Sequence, residues 1–228
     1  MVNTIIQQSM LRKAKTEGVI DFDVVDLRDF GQGNYRQIDD TPYGGGGGMV
    51  LMAEPLFAAL DHAIANIGAS TNLRIIYPSP QGLQWSQDAA QENSSLENLI
   101  FICGHYKDID HRVIDKYVTH EFSIGDYVVT SGEIPTMIMI DSIVRLLPGV
   151  LNNFDSAKTD SFFSESLLDA PYYTKPKKID GLSVPEVLMS GNHEKIAAWR
   201  EDERIRRTEV KRPDLAHARA KKLESLEN

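Results

Sequence analysis

Short apolar runs of strand length recur along the first two thirds of the chain. Leu99–Cys103 is apolar throughout, which is typical of a strand buried on both faces of a parallel sheet. Pro78 and Pro80 are expected to end another run, because proline cannot donate a hydrogen bond to a sheet. A long polar loop, Arg28–Gly48, follows the first run. The predicted strands are Phe22–Leu27, Leu73–Tyr77, Leu99–Cys103 and Tyr127–Val129.

Apolar residues at helical spacing mark the segments between these runs. Residues 3–17 are predicted to form an amphipathic helix that ends at Gly18. Strands that alternate with helices indicate an α/β fold with a mostly parallel sheet. The other predicted helices begin at Glu54 and after Ser86, cover Val113–Val118, and run from Ile134 to Leu147.

The apolar periodicity fades after residue 151, where Asp, Ser, Lys and Thr become frequent. We therefore predict a first domain over residues 1–151, a flexible interdomain linker over residues 152–174 and a small helical domain over residues 175–228. Helical spacing returns from Val184 onward, with Ile196 and Trp199 on one face.

The composition is that of a globular protein. The chain has 228 residues, of which 42% are hydrophobic, enough for a sizeable core. Its one cysteine, Cys103, excludes an internal disulfide, and its apolar neighbours indicate a buried small side chain rather than a nucleophile. No apolar run reaches the roughly 20 residues that span a bilayer, and Met1–Lys15 lacks the core of a secretory signal. We expect a cytoplasmic protein without a membrane partner.

Positive charge is concentrated near the C-terminus of an acidic chain. The net charge of −9 argues against nucleic acid binding by the molecule as a whole. Residues 204–222 nevertheless include only Glu209 and Asp214 as acids among many basic residues. This segment is either a local contact for a polyanion or an ordinary solvated helix surface. Its basic residues are Arg204, Arg206, Arg207, Lys211, Arg212, Arg219, Lys221 and Lys222.

Three turns near the ends of predicted strands are rich in glycine, proline and serine. Ligands of open α/β sheets bind at the carboxyl ends of strands, so three such turns on one sheet would form a cradle of backbone donors and acceptors. Such a cradle suits a purine, although each turn alone is also what ends an ordinary strand. The turns are Tyr77–Gly82, Cys103–Tyr106 and Ser123–Tyr127.

Five consecutive glycines, Gly44–Gly48, form the only low-complexity segment. They are either a flexible loop or a place where the backbone passes close to a bulky ligand such as a base. The run is not a P-loop, since no Gly-Lys-Ser/Thr follows it. His105, His111 and His120 match no metal-binding spacing, so we expect them in turns or on the surface.

Four charged residues have specific interpretations. Arg145, at the end of an apolar helix, is either a cation favoured by the helix dipole or a group that holds a ligand carbonyl as negative charge develops there. Asp160 is either a capping residue in the linker or a general base on a segment that orders over substrate. Asp108 and Asp110 are predicted to cap the helix that follows them.

In combination, these motifs resemble those of the bacterial tRNA (guanine-N1)-methyltransferases, over nearly the whole chain. The resemblance implies a deep trefoil knot of the SPOUT type and a homodimer whose active sites are shared between subunits. It also implies transfer of a methyl group from S-adenosylmethionine to N1 of guanosine at tRNA position 37, beside the anticodon. The matching segments are Tyr43–Met49, Ser79–Gly82, Cys103–Tyr106, Ile124–Pro135, Pro148–Leu151, Asp160–Phe162, Leu167–Asp169, Pro171–Thr174, Val184–Pro185, Ser190–His193 and Trp199–Arg200.

The resemblance also implies roles for individual residues. Asp160 matches the general base that removes the proton from guanine N1, and Arg145 matches the catalytic arginine set against guanine O6. The C-terminal domain would grip the tRNA, and Mg²⁺ is expected from the family without a motif here to support it. The residues that match cofactor-binding positions are Tyr77, Pro78, Ser79, Gly104, Ile124, Gly125, Asp126, Tyr127, Val128, Val129, Gly132 and Pro135.

The chain departs from the family pattern at three places. Family members begin with a strand ahead of the first helix, whereas here Met1 already lies close to that helix, so we expect this strand to be missing. Lys107 and Asp108 stand where Glu-Gly is usual, which reverses a charge near the cofactor, and Ser131 replaces a usual glycine. An alternative is therefore a non-catalytic, or differently targeted, RNA-binding member of the same knotted fold.

Overall fold

The computed structural model describes residues 1–68, 72–152, 154–163 and 165–226. The chain divides into two compact units, Met1–Asn152 and Asn153–Asn228. Most of the segment predicted as a linker lies in the second unit. There the side chain of Leu167 is buried, which shows that this segment contributes to the packing of that unit.

A three-stranded parallel sheet forms the centre of the first unit. Strand β3 (Leu73–Gln84) lies between β4 (Asn98–Phe101) and β6 (His120–Ser123), and both neighbours run parallel to it. The side chains of Ile75 and Ile76 are buried on its two faces. The predicted parallel sheet is therefore confirmed.

The central strand does not stop at its prolines as predicted. It continues through Pro78 and Pro80 to Gln84, and its register against β6 shifts between Pro78 and Leu83. Because the ladder is interrupted there, these prolines are not required to donate hydrogen bonds, as is common at a bulge.

Two other predicted strands are wrong. Tyr127–Val129 is irregular and solvent-facing, and the strand lies earlier, at His120–Ser123, where only Phe122 is a buried apolar residue. Phe22–Leu27 is irregular up to Asp26, and a 3₁₀ helix then covers Leu27–Phe30. The Asp26 carboxylate accepts a hydrogen bond from the amide of Arg28 at 2.9 Å, which favours a turn over a strand at this point.

A second small sheet joins three two-residue strands. Strand β1 (Asp39–Asp40) pairs antiparallel with β2 (Val50–Leu51), which pairs parallel with β5 (Asp108–Ile109). Two-residue strands carry no alternation of polar and apolar residues, so the sequence did not predict this sheet.

The helices of the first unit follow the predicted order. The predicted helix over residues 3–17 is interrupted, because Gln8 is extended and Ser9 has a positive φ of 46°. Gly18, with φ of 70°, follows the second piece as predicted. The helices are α1 (Val2–Ile5), α2 (Ser9–Thr16), α3 (Ala53–Ile67), α4 (Gln87–Ser94), α5 (His111–Tyr117) and α6 (Glu133–Val144).

The second unit contains a short helix, a hairpin and two longer helices. The hairpin turns at Asp180-Gly181, where both residues have positive φ. This Asp-Gly pair between two short runs is a known hairpin signal that the sequence analysis missed. The elements are α7 (Phe154–Lys158), β7 (Lys178–Ile179), β8 (Leu182–Ser183), a 3₁₀ helix at Glu186–Met189, α8 (His193–Lys211) and α9 (Pro213–Leu226).

The apolar residues of the first unit form separate clusters on the two sides of its sheets. One cluster packs α3 and α5 against the strands through Leu56, Leu60 and Val113. Another packs α2 against α6 through Leu11 and Val144. Among the described residues, no helix is both long and apolar enough to cross a membrane.

Candidate active site

Each of the three segments predicted to form a cradle contributes residues to one cleft in the first unit. The predicted turn at Tyr77–Gly82 is wrong, because this segment is part of β3, which continues to Gln84. Residues 77–80 from β3, residues 104–108 after β4, and most of residues 122–135 after β6 line this cleft. Because β3, β4 and β6 are parallel, the chain leaves the ordered part of each strand on the same edge of the sheet. The sheet therefore explains why segments so distant in sequence meet here.

Nearly all residues predicted to bind the cofactor line this cleft. Asp126 is the exception: it is exposed and does not line the cleft. The role of the lining residues in binding stays a prediction. They are Tyr77, Pro78, Ser79, Gly104, Ile124, Gly125, Tyr127, Val128, Val129, Gly132 and Pro135.

Two glycines allow the turns to approach each other at backbone distance. The amide of Gly132 donates a hydrogen bond to the carbonyl oxygen of Gly104 at 2.7 Å. A Cβ on Gly132 would lie 2.6 Å from the nitrogen of Gly104, and a Cβ on Gly104 would lie 2.8 Å from the hydroxyl oxygen of Tyr77. These two positions therefore have no room for a side chain.

Side chains add a second link between the Gly104 turn and helix α6. The Nε2 atom of His105 lies 2.6 Å from Oε1 of Glu133, the first residue of α6. Burial raises the pKa of the Glu133 carboxyl, but the neighbouring Ser131 hydroxyl and His105 imidazole outweigh it, and the pKa lies below its ordinary value. Glu133 is therefore an anion at neutral pH.

Cys103 lies beside this contact and is partly buried. Its thiol donates a hydrogen bond to the hydroxyl of Thr136 at 3.5 Å. Burial raises the pKa of the thiol, so it stays protonated at neutral pH. This environment agrees with the interpretation of Cys103 as a small packing residue and not a nucleophile.

Asp108 does not cap a helix as predicted. Its Oδ1 atom accepts hydrogen bonds from the hydroxyl of Tyr77 at 2.7 Å and from the amide of Ile109 at 2.8 Å. Burial, followed by the hydrogen bond to Asp108, raises the pKa of the Tyr77 phenol far above its ordinary value. The predicted cap is confirmed only for Asp110, whose carboxylate accepts from the amide of Arg112 at 3.0 Å.

The glycine run precedes β2, next to the residues that line the cleft. Gly44, Gly45, Gly46 and Gly48 all have positive φ, a conformation that other residues rarely adopt, so this segment needs glycine for its backbone path. The amide of Lys107 donates to the carbonyl oxygen of Met49 at 3.0 Å and ties the end of the run to the turn after β4.

The two predicted catalytic residues lie in different units. Arg145 is the C-cap of α6 in the first unit and is partly buried. Asp160 follows α7 in the second unit and is also partly buried. The loop after Asp160 is held by hydrogen bonds from the amide of Asp169 to Ser161 Oγ at 2.9 Å and from the amide of Phe162 to Leu167 O at 3.0 Å.

The three histidines are placed differently from one another. His105 lies in a turn and His111 is exposed on α5, as predicted. His120 lies on β6, stacked on Phe122 and partly exposed, so for it a turn position is wrong. Burial and then the charge of Arg74 lower the pKa of His120. Among the described residues, no group of three His, Cys, Asp or Glu side chains is placed to hold a metal ion.

Much of the basic charge on α8 and α9 is paired within the second unit. The ion pairs are Arg204–Glu201, Arg206–Glu203, Arg212–Asp214 and Arg219–Glu165, at 2.6–3.0 Å. Three of these four acids lie outside the segment 204–222. A charge count within that segment alone therefore overestimates the positive charge that its arginines present. The side chain of Lys222 lies outside the part of the chain whose side chains are described.

Comparison with known proteins decides between the interpretations left open by the sequence. The sequence model of the family described as tRNA (Guanine-1)-methyltransferase TrmD matches residues 1–218. The chain belongs to this family. The resemblance to the tRNA (guanine-N1)-methyltransferases is thereby confirmed, and with it the class of enzyme. The alternative of a non-catalytic or differently targeted relative is not favoured.

Individual members of this methyltransferase family are similar to the chain over most of its length. Proteins named tRNA (guanine-N(1)-)-methyltransferase from Staphylococcus carnosus and Lacticaseibacillus paracasei are 47% and 50% identical to it. The alignments cover 94% and 92% of this chain and 86% and 81% of those proteins. A protein of the same name from Clostridioides difficile is 45% identical, with 93% of this chain and 91% of that protein covered.

Proposed function

We propose that this methyltransferase moves a methyl group from S-adenosylmethionine to N1 of guanosine at position 37 of tRNA. The observation that carries the proposal is the cleft, where three segments distant in sequence meet and which nearly all the predicted cofactor-binding residues line. Family membership supplies the class of reaction, and the cleft supplies a place for it in this chain.

The residues of the cleft fit S-adenosylmethionine. Gly104 and Gly132 let the turn after β4 and the start of α6 pack closely against Tyr77 and each other, which fixes the shape of the cleft at this wall. Pro78, Ile124 and Val129 provide apolar surface for the adenine ring. When bound, S-adenosylmethionine supplies an electrophilic methyl group on a positively charged sulfur.

Asp160 would remove the proton from guanine N1, and Arg145 would stabilise the guanine anion that results. Guanine N1 carries a proton at neutral pH, so a base must remove it before the nitrogen can accept a methyl group, and the Asp160 carboxylate is our candidate. Carboxylates ordinarily have a pKa near 4 and are weak bases. The guanine anion that forms when N1 loses its proton therefore needs stabilisation. The guanidinium of Arg145, set against O6, would provide it.

We further propose a homodimer in which each active site uses residues of both subunits. An exposed apolar face of α6 supports this, because the side chains of Ile134 and Ile138 on this largely apolar helix are 46% and 45% exposed. Tyr127 and Val128, in the cleft loop just before it, are 57% and 84% exposed. Apolar surface of this kind, rimmed by polar groups, is typical of an interface. A trefoil knot through these turns is part of the same proposal.

The second unit is proposed to bind the tRNA. Arg207, Lys211 and Lys221 supply positive charge on α8 and α9, in addition to the paired arginines. Binding that depends on such residues should weaken as salt rises, because phosphate contacts release counterions. With tRNA as its substrate, we propose that the enzyme works in the cytoplasm. Mg²⁺ stays an expectation from the family.

A methyl-transfer assay tests the proposed function. Unmodified tRNA with guanosine at position 37 is incubated with the enzyme and labelled S-adenosylmethionine, beside the same tRNA carrying adenosine at that position. We expect label only in the guanosine substrate, with N1-methylguanosine as the product on nucleoside analysis. Equal labelling of both tRNAs, or a different methylated nucleoside, would refute the proposed target. Sedimentation of the same preparation tests the dimer.

A further inference from the structure

The hydroxyl of Tyr77 and the carboxylate of Asp108 join the two small sheets of the first unit at the cleft. Tyr77 lies on β3 of the parallel sheet, whereas Asp108 lies on β5 and pairs with Val50 of β2. Their hydrogen bond measures 2.7 Å, and both residues line the cleft. This side-chain hydrogen bond therefore links the β4-β3-β6 sheet to the β1-β2-β5 sheet at the cleft, where backbone hydrogen bonds leave the two sheets separate.

The Tyr77 hydroxyl depends on this acceptor. The tyrosine is only 5% exposed, and its hydroxyl also has a hydrogen bond with the backbone of Ile109. Without Asp108 the hydroxyl proton would have to find another acceptor or stay without one, which is costly in a buried place. The same hydroxyl lies against Gly104, where even a Cβ would come within 2.8 Å of it. The tyrosine ring therefore packs directly against the turn that holds the Gly104 backbone, and a change in its position alters that contact.

We infer that Asp108 is a positioning residue for the cofactor cleft and that it acts through Tyr77, whose hydroxyl it holds so that the Gly104 turn keeps the conformation that accepts S-adenosylmethionine. This inference rests on the proposed function, since it assumes that the cleft binds this cofactor. What Asp108 contributes is a hydrogen-bond acceptor at a fixed place. Its negative charge is not what the cleft requires.

Substitutions can separate the acceptor from the charge. Asp108→Asn keeps a carbonyl oxygen where Oδ1 accepts the bond but removes the charge, whereas Asp108→Ala removes both. Tyr77→Phe keeps the ring and removes the donor. Asp110→Ala is the matched control: it removes a neighbouring acid that caps α5 and pairs with exposed Arg112, outside the cleft.

Calorimetric titration with S-adenosylmethionine, and separately with the neutral product S-adenosylhomocysteine, measures the effect without relying on turnover. We expect Asp108→Ala and Tyr77→Phe each to weaken both ligands about tenfold, the scale of one lost buried hydrogen bond. Asp108→Asn should stay within about threefold of the unsubstituted enzyme, since it retains the acceptor. The double variant Tyr77→Phe/Asp108→Ala should bind no more weakly than the weaker single variant, because both remove one interaction.

Other outcomes overturn the inference. If Asp108→Asn weakens S-adenosylmethionine as much as Asp108→Ala does but leaves S-adenosylhomocysteine unchanged, then Asp108 acts by its charge on the sulfonium. If the losses of the two single variants add in the double variant, Asp108 does not act through Tyr77. Unchanged binding in Asp108→Ala also refutes it. Thermal unfolding of each variant accompanies the titrations, and Asp110→Ala shows whether a loss of stability alone alters binding.

Failure of the proposed function is a separate result. If the unsubstituted enzyme binds neither S-adenosylmethionine nor S-adenosylhomocysteine, the assignment of the cleft is wrong, and the inference falls with it. If the unsubstituted enzyme binds both and the Asp108 and Tyr77 variants bind equally well, only the positioning role is wrong.

Discussion

The amide nitrogen of Gly132 donates to the carbonyl oxygen of Gly104 across 2.7 Å and holds two walls of the cleft together at backbone distance. The contact is backbone to backbone, so no rotation of a side chain can relieve a change in it. A residue larger than glycine at position 132 must push the turn after β4 away from the start of α6.

Replacing Gly132 by Ala should therefore damage ligand binding. The new Cβ would lie 2.6 Å from Gly104 N, closer than real Cβ contacts allow, and 3.0 Å from Cys103 Cα, which is tighter than most such contacts. We expect the affinity for S-adenosylmethionine, measured by calorimetry, to fall by at least about tenfold, with a lower melting temperature as overpacking predicts. Gly47→Ala is the control, since a Cβ there meets nothing within 4 Å. Equal cofactor binding by the two variants would show that the turns are more adaptable than the structure indicates.

Asp160→Asn should separate chemistry from binding. Loss of a general base typically lowers the rate by about 10²–10⁴-fold, and the asparagine cannot take the N1 proton. Single-turnover methyl transfer should fall by this factor, while the calorimetric affinity for S-adenosylmethionine stays unchanged. Asp202→Asn, at an exposed position on α8, provides the matched control. Retained single-turnover rates in Asp160→Asn would remove Asp160 from the role of base.

The Glu133 carboxylate should make stability depend on pH in the acid range. Its pKa in the folded protein is depressed below the ordinary 4.5, so its stabilising contribution is present above that value and is lost as the pH falls through the folded pKa. The difference in free energy of unfolding between the unsubstituted protein and Glu133→Gln should therefore shrink below about pH 4.5. Denaturant titrations at a series of pH values measure it, with exposed Glu209→Gln for comparison. A difference that grows on acidification would reverse the sign of this argument.

Thr208→Val should destabilise the second unit. Thr208 is 1% exposed, and its hydroxyl accepts from the amide of Leu168 at 2.9 Å while it donates to Arg204 O at 2.7 Å. Valine has nearly the same shape but leaves the Leu168 amide without this partner, which costs about 1–3 kcal/mol. Thr16→Val, which removes an exposed hydroxyl bonded to Arg12 O, should cost much less in the same urea titration.

The elements that were predicted correctly have a recognisable pattern of apolar or capping residues within their own sequence. Helices α3 and α6 are long and strongly apolar. Ser86 marks the start of α4, because its hydroxyl caps the helix by accepting a hydrogen bond from the Ala89 amide. Strand β6 could not be predicted in this way. Its sequence, His120–Ser123, has one deeply buried apolar residue, and it is a strand because β3 offers it a partner.

The same distinction applies to the site. Glycine, proline and serine near the ends of predicted strands identified the three segments that contribute to the cleft, because such residues mark irregular backbone locally. The apolar run Tyr127–Val129 was misread as a strand because the residues of a ligand cleft and of a buried strand have the same composition. The bond between Tyr77 and Asp108 joins residues 31 apart in sequence, and no local pattern specifies such a pair.

No single segment of the chain forms the cleft by itself, because its three lining segments belong to or follow three different strands of the β4-β3-β6 sheet. A ligand of the cleft can therefore bind only to chains in which that sheet has already formed. Ligand at 100 times its dissociation constant would add about 2.7 kcal/mol to the stability of the folded form by mass action. The stability of the folded sheet would thus rise with the supply of that ligand.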